Sequence, residues 1–340
     1  MRPSIAQLAD TTIRLADLAF PCGRVHVHRT RLAFIHLDNL LHFAKHDRDG
    51  RIDGYAAAYL PDELIVLLFR GGDVATAVRF GEKGRGVVPI GNALKRIRAE
   101  PERGELAFCD APLRQLAWMY ESCAGPAAPR ALPVQAPALV AEQLREETYS
   151  GVLEVIVDGR VSYLLFQNGR SMDGYFQGGK VDPGASLSAR FDGLFAAAPD
   201  GTPPRVAAAL FRPRDEVPSQ APDALLQIYR ELFWAILAAA AVEVPDTAAK
   251  RALRLRDALS GIHKPLTAIG TPLDQEVVAL VGTPGELTHA LADWALQLLE
   301  ELEILAPGIA PRVLRDATRE HRFVLQKTDF YGKLPWTVTW

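Results

Sequence analysis

Histidines gather near the N-terminal end of the chain, where they could bind a transition metal. Five of the eight are His26, His28, His36, His42 and His46. Neutral imidazole is a common ligand of zinc, and a helix would place His42 one turn from His46. The sequence therefore leaves open a metal site built from His26, His28, His42 and His46.

The stretch HDRDGRIDGY, residues 46–55, contains the Asp-x-Asp-Gly pattern of a calcium loop. If Gly50 were the obligatory glycine of such a loop, Lys45 would take the first ligand position and Ala56 the closing carboxylate position. Two required oxygen ligands are therefore missing. The His46-Asp47 pair also suggests a metal phosphohydrolase, but that fold needs ligands from several helices, and the next thirty residues are predicted to be strands. We expect a polar helix face followed by an Asp-Gly turn.

A glycine-rich segment, FGEKGRGVVPIGN at residues 80–92, is the most plausible ligand loop. It carries Lys83 and Arg85 and precedes a predicted helix whose N-terminal amides could hold an anion. A solvated connection is the alternative. The sequence contains no phosphate loop, nucleophile elbow or dinucleotide fingerprint, so we predict neither a catalytic residue nor a cofactor.

Composition narrows the classes of function. The 38 basic and 41 acidic residues give a net charge of -3, which does not favour nucleic acid as a partner. Three separated cysteines fit a reducing compartment. The first twenty residues lack the apolar core of a signal peptide, and the run of residues 232–242 is too short to cross a bilayer. We expect a cytoplasmic protein without membrane insertion.

The elements that must position these residues are duplicated. Shifting the chain by 97 positions aligns residues 53–83 with residues 150–180 without a gap, with Gly72 over Gly169. Each copy predicts a helix (residues 32–45 or 138–147), a three-stranded antiparallel meander with tight turns, a second helix (residues 90–98 or 186–191) and a closing strand. The closing strands contain Phe108 and Phe211. The predicted fold class is α+β, with two tandem repeats followed by a helical bundle.

The second copy resembles the PatA-type N-terminal domain of bacterial response regulators and motility or polarity proteins. The resemblance is carried by Gly151-Val152-Leu153-Glu154, by Leu165-Phe166-Gln167-Asn168-Gly169-Arg170 and by Gly174-Tyr175. The first copy has Gly71-Gly72-Asp73 in place of Asn-Gly-Arg, so its assignment depends on the internal repeat. The resemblance implies a context of bacterial signalling and implies no catalysis.

The last third of the chain is predicted to be helical. Thr271-Pro272 and Thr283-Pro284 each place a capping hydroxyl before a proline, Glu286 completes a capping box, and Asp246 can cap residues 247–260. The helix at residues 224–242 is apolar on nearly every side, which places it in the core of the bundle or at a dimer interface. We expect the aromatic tail to dock on the bundle. The candidate interface residues are Leu232, Phe233, Trp234, Trp336 and Trp340.

The predicted organisation is a first repeat with an N-terminal extension (1–123), a Pro/Ala linker (124–137), a second repeat (138–217) and a helical domain with an aromatic tail (222–340). We expect a non-enzymatic bacterial signalling adaptor or scaffold that binds protein partners, including a second copy of itself through the helical domain. The alternative is a small-molecule or metal-dependent sensor or enzyme centred on the histidines or on the loop with Lys83 and Arg85.

Overall fold

The computed structural model describes residues 14–47, 50–82, 84–124, 130–131, 137–178, 184–195, 204–245, 247–276 and 280–339. The chain forms two compact units, Met1–Pro218 and Ser219–Trp340. The first unit contains two antiparallel sheets with helices, and the second is helical. The predicted α+β class with a helical C-terminal region is therefore confirmed.

The first sheet has six strands in the order β1-β6-β2-β3-β4-β5. The strands are β1 Val25–Arg31, β2 Gly54–Tyr59, β3 Glu63–Arg70, β4 Asp73–Gly81, β5 Gly84–Val88 and β6 Glu105–Asp110. Its helices are α1 Leu37–His46, α2 Ile90–Arg98 and α3 Leu113–Ala124. The predicted helix at residues 32–45 is divided, because Leu32–Phe34 forms a short 3-10 helix ahead of α1. The predicted second helix, residues 90–98, is confirmed as α2.

The second sheet has five strands in the order β10-β9-β8-β11-β7. The strands are β7 Arg130–Ala131, β8 Gly151–Val157, β9 Arg160–Gln167, β10 Arg170–Phe176 and β11 Val206–Phe211. Its helices are α4 Pro137–Glu146 and α5 Leu187–Gly193. Within the predicted linker, β7 pairs with β11, while residues 125–129 and 132–136 lie outside the described residues.

Both sheets are covered on two faces. One face of the first sheet packs with α1 and α2, and one face of the second packs with α4 and α5. The opposite faces contribute to a single shared core that also contains Trp118 of α3. Strands β3 and β8 are consequently buried along nearly their whole length, which explains why both are almost continuously apolar.

The two sheets share a strand register at the 97-residue offset. Gly54 of β2 faces Phe69 of β3, and Gly151 of β8 faces Phe166 of β9. The closing strands β6 and β11 also follow this offset, but the predicted match between their phenylalanines needs correction. Phe108 of β6 faces Ala56, and the residue 97 positions after Ala56 is Leu153, which faces Leu210. The predicted equivalence of Phe108 with Phe211 is therefore wrong by one residue.

The glycine-rich segment is a hairpin rather than a loop. Gly81 faces Gly84, and the two strands pair as far as Ala77 and Val88, so β5 extends the first sheet. The glycines at residues 84 and 86 are poor strand formers, and the pattern alone therefore favoured a loop. Residues 84–88 nevertheless form strand β5, because the neighbouring strand β4 supplies hydrogen-bond partners for their backbone.

The second unit contains six α-helices in its described residues. They are α6 Asp223–Glu243, α7 Ala248–Leu259, α8 Pro265–Ile269, α9 Pro284–Glu303, α10 Ile309–Thr318 and α11 Arg322–Lys327. The capping box of Thr283 and Glu286 is confirmed at the start of α9. The helix start predicted at Thr271-Pro272 is wrong for the described residues, because the Thr271 hydroxyl donates back to the carbonyl of Thr267. Asp246 lies outside the described residues.

The core of the second unit forms around α6 and α9. The Phe233 and Trp294 rings stack with their centroids 4.1 Å apart, and Trp294 Nε1 donates to the Ala252 carbonyl. The tail packs on this core: Phe330 is fully buried, and Trp336 is partly buried against the same cluster. This agrees with the expectation that the tail docks on the bundle.

Two adjacent glycines in the β3-β4 turn provide a test of how closely α1 approaches this turn. Both have positive φ, but a Cβ on Gly72 would lie 2.6 Å from the Ala44 carbonyl oxygen, whereas a Cβ on Gly71 would meet nothing within 4 Å. We expect Gly71→Ala to cost about 1–2 kcal/mol from its left-handed backbone. Gly72→Ala should cost at least about 1 kcal/mol more, since α1 must also move. Urea unfolding of the two variants measures the difference, and equal losses would contradict the close approach.

Candidate functional site

Arg85 forms a buried ion pair between the two sheets. The β4-β5 hairpin turns its side chain toward β8, where Nη1 lies 2.6 Å from Oε1 of Glu154. The two side chains are only 7% and 2% exposed. The predicted role of Arg85 in a solvent-facing ligand loop therefore has no support in this geometry. Lys83 lies outside the described residues.

Other ionisable groups surround this pair. Tyr163 faces Glu154 across the β8-β9 ladder, and Cys123 lies near the end of α3. Burial raises the pKa of the Cys123 thiol to about 12, although Arg85 acts in the opposite direction. Burial also raises the pKa of Tyr163 well above its usual value, and the negative charge of Glu154 adds to the increase. Both groups therefore stay protonated and neutral near neutral pH.

The Arg85 guanidinium itself stays charged. Burial lowers the pKa of Arg85, but the attraction of Glu154 outweighs this effect and leaves the pKa raised. Arg85 Nε, Glu154 Oε2 and Trp118 Nε1 are buried without a hydrogen-bond partner among the described residues. Such groups lose their hydration without full compensation, so the arrangement depends on the strength of the Arg85-Glu154 contact.

Glu154, Cys123 and Tyr163 were not predicted as a group. The available signal was an acidic residue inside the apolar run VLEVIV of β8. A carboxylate in a strand buried on both faces requires a cationic partner. That cationic partner is Arg85, which lies on β5. The sequence pattern did not predict this strand.

The four histidines proposed as metal ligands occupy different environments. His26 of β1 bonds to the Asp110 carboxylate, and its ring contacts Phe43 and Phe108. His42 and His46 stack on α1 with their ring centroids 4.3 Å apart, and His28 is exposed on β1. Within the described ranges, no group of three or more histidine, cysteine or acidic side chains is placed to hold a metal. The structure does not bring the four histidines to one point.

The HDRDGRIDGY stretch connects α1 with β2. Asp47 forms an isolated bridge with Gly50, and Asp53 accepts a hydrogen bond from the Gly71 amide. The segment lines a cleft of about 390 Å³ together with Asp110. Asp53 therefore stabilises the β3-β4 turn, and Asp110 binds His26. Two of the carboxylates that line the cleft thus have structural roles.

A second cysteine, Cys22, is also kept protonated. Burial and the neighbouring Cys109 raise the pKa of Cys22 to about 12. A nucleophilic or metal-binding cysteine needs the opposite change, because the thiolate is the reactive form. The elevated pKa of Cys22 and that of Cys123 therefore favour structural roles.

The interface residues predicted in the helical unit need correction. Leu232 and Phe233 are fully buried inside the bundle, which leaves them no surface for a partner. Trp234 is partly buried, and its Nε1 donates to the Thr271 carbonyl. Trp336 packs against the bundle core, and Trp340 lies outside the described residues.

Several large apolar side chains of the helical unit are exposed, including Ile262 and Phe323, and three of them lie near the C-terminal ends of α6 and α9. Val242 and Ile304 are 81% and 82% exposed, and Leu305 is about half exposed. We call these three residues the apolar end. Val242 lies in the last turn of α6, and Ile304 and Leu305 directly follow α9.

Helix α6 is the one described helix that is long and apolar enough to cross a membrane by length and composition. Its side chains at Leu225, Tyr229, Leu232 and Phe233 belong to the bundle core. Such a core helix passes the same test in soluble proteins, so the observation is weak evidence for a membrane span.

Comparisons with protein-family models, with curated proteins and with solved structures found no match.

The Arg85-Glu154 pair generates a stability prediction. Arg85→Met leaves Glu154 buried without its partner, so we expect the free energy of unfolding to fall by about 3–5 kcal/mol. The double variant Arg85→Met with Glu154→Met removes both charges and should lose less than the single variant. Chemical denaturation monitored by circular dichroism measures both values.

Lys45→Met provides the control, because its pair with Asp73 is about half exposed on both sides. Exposed pairs contribute at most about 1 kcal/mol, so this variant should resemble the wild type. A double variant that is less stable than Arg85→Met would show that the two charges are not coupled as described.

Proposed function

We propose that the protein is a non-enzymatic bacterial signalling adaptor that acts in the cytoplasm through protein-protein contacts. The observation that carries this proposal is the apolar end of the helical unit. Large apolar side chains that are grouped and exposed mark interaction sites in soluble proteins. The expected partners include a second copy of the chain.

Specific polar contacts place these residues at the same end of the unit. Glu303 of α9 accepts hydrogen bonds from the Gly308 and Ala310 amides at 2.7 and 2.9 Å. Glu243 of α6 binds Arg312 of α10 at 2.8 Å. The ends of α6 and α9 therefore meet at the first turn of α10. Val242 and Ile304 are the chain neighbours of Glu243 and Glu303.

The surroundings of the apolar end fit an interface. Glu301 of α9 pairs with Arg251 and Arg254 of α7, so charged groups lie beside the exposed apolar residues. Interfaces commonly combine an apolar centre with a polar rim.

Tandem PatA-like modules are the second part of the proposal. The equal registers support duplication, and so do two equivalent turns. The Gly72 amide donates to the Ile52 carbonyl at 2.9 Å, and 97 residues later the Gly169 amide donates to the Tyr149 carbonyl at 2.8 Å. Both glycines have positive φ and approach the end of the preceding helix. A duplicated scaffold would give the adaptor two related surfaces.

The buried chemistry of the first unit supports a structural role over catalysis. The raised pKa of Cys123 and of Tyr163 keeps both groups protonated, whereas an activated nucleophile requires a lowered pKa or an adjacent base. The alternative of a metal-dependent activity would require at least three ligands to converge, and among the described residues no such group of histidine, cysteine or acidic side chains is found.

Light scattering on the full chain tests the adaptor proposal. We expect the wild type to self-associate in the micromolar range, and Val242→Ser with Ile304→Ser to shift the molar mass toward that of a monomer. The polar side chains remove the apolar contact while leaving the buried core intact, so circular dichroism should be unchanged.

Ile262→Ser is the matched control, because Ile262 is similarly exposed in the same unit. It follows the C-terminal end of α7 and is not part of the apolar end. It should associate like the wild type. A wild-type molar mass that stays monomeric, or equal effects of the two sets of substitutions, would argue against the apolar end as the assembly surface.

A further inference from the structure

A groove runs along α2 where this helix crosses the first sheet. Its volume is about 440 Å³. The floor is apolar and consists of Ile65 of β3, Val88 of β5 and Ala93 of α2. Ligand pockets of small molecules commonly span roughly 300–1,000 Å³ and have such apolar linings. The groove is thus large enough for a ligand of one or two rings.

Basic side chains border this groove. Arg79 of β4 lies opposite Ile65 in the β3-β4 ladder and is about half exposed. The Lys95 side chain of α2 is exposed and has no hydrogen bond or ion pair to any described residue. The Asn92 side chain supplies a neutral polar group at the same helix face.

The nearby acidic residues do not balance these two cations. Glu63 also lines the groove, but Arg96 binds it at 2.8 Å, while Arg79 reaches it only at 3.9 Å. Arg96 further binds Asp62 and Glu100 and is therefore saturated with acidic partners. Arg79 and Lys95 remain as the cations available to a ligand.

We propose that this groove binds a small amphipathic anion, whose apolar ring or chain lies on the floor and whose acidic head contacts Arg79 and Lys95. Charge-assisted hydrogen bonds from the two cations orient the head. The apolar part supplies affinity by removing its own surface and that of Ile65 and Val88 from water. This inference is independent of self-association through the helical unit.

Two fluorescent probes separate the contribution of charge from that of apolar burial. The first is 1-anilinonaphthalene-8-sulfonate, and the second is N-phenyl-1-naphthylamine, which has the same rings without the sulfonate. Titration of the full chain with each probe gives its affinity. We expect the double variant Arg79→Gln, Lys95→Gln to bind the sulfonate roughly tenfold more weakly and the neutral probe unchanged.

Three further variants decide where the probes bind. Arg98→Gln removes a cation of α2 that pairs with Asp38 and does not line the groove, so it should bind both probes like the wild type. Asn92→Trp places a bulky ring at the exposed edge of the groove and should weaken both probes. Ile304→Ser alters the apolar end alone and should affect neither.

Two outcomes would overturn the proposal. One is an unchanged affinity of the sulfonate in the Arg79→Gln, Lys95→Gln variant while that variant keeps the wild-type circular dichroism spectrum. The other is loss of the probe signal in Ile304→Ser with retention in Asn92→Trp, which would assign the probe to the helical unit.

Discussion

The buried ion pair of Arg85 and Glu154 is the constraint on which the α+β unit depends. Removing two charges from water costs several kcal/mol per ion, and only a close contact offsets this cost. The contact requires β5 to extend the first sheet and β8 to lie opposite it. Sliding one sheet over the other would leave both charges unpaired. The pair therefore selects one arrangement among the many that apolar packing alone would permit.

Burial on both sheet faces follows from this arrangement. The outer faces pack with α1, α2, α4 and α5, and the inner faces meet in the shared core. Neither sheet can therefore show the alternation of apolar and polar residues that marks a half-exposed strand. The same burial explains why Cys123 and Tyr163 stay protonated, since both lie where a negative charge would be poorly solvated.

Features determined by neighbouring residues were predictable from the sequence. The turns around Asp158-Gly159 and Asn168-Gly169 need positive φ, and these residue types tolerate it, so the order of strands β8, β9 and β10 followed directly. The Thr283-Glu286 capping box likewise involves four consecutive residues. In each case the physical cause lies within the segment that carries the signal.

Features that depend on distant residues were not predictable in this way. Strand β5 exists because β4 supplies its backbone partners, and Glu154 became interpretable only with Arg85 opposite it. The histidines were grouped by their position along the chain, but β1 and α1 hold them in different environments. At Thr271 a local helix signal was overridden because the hydroxyl found an acceptor at Thr267.

Charged and titratable groups are arranged differently inside the first unit and at its surface. Inside the first unit, the Cys123 thiol is protonated, and the charge of Arg85 is paired with Glu154. At the surface, Lys95 borders an apolar groove without an ion-pair partner among the described residues, and Arg79 beside it reaches Glu63 only at 3.9 Å. Chemistry needs activated groups in a protected site, whereas recognition needs complementary groups at an accessible surface. The cations at the groove of the first unit have the second pattern, which supports the proposal that this groove binds a ligand.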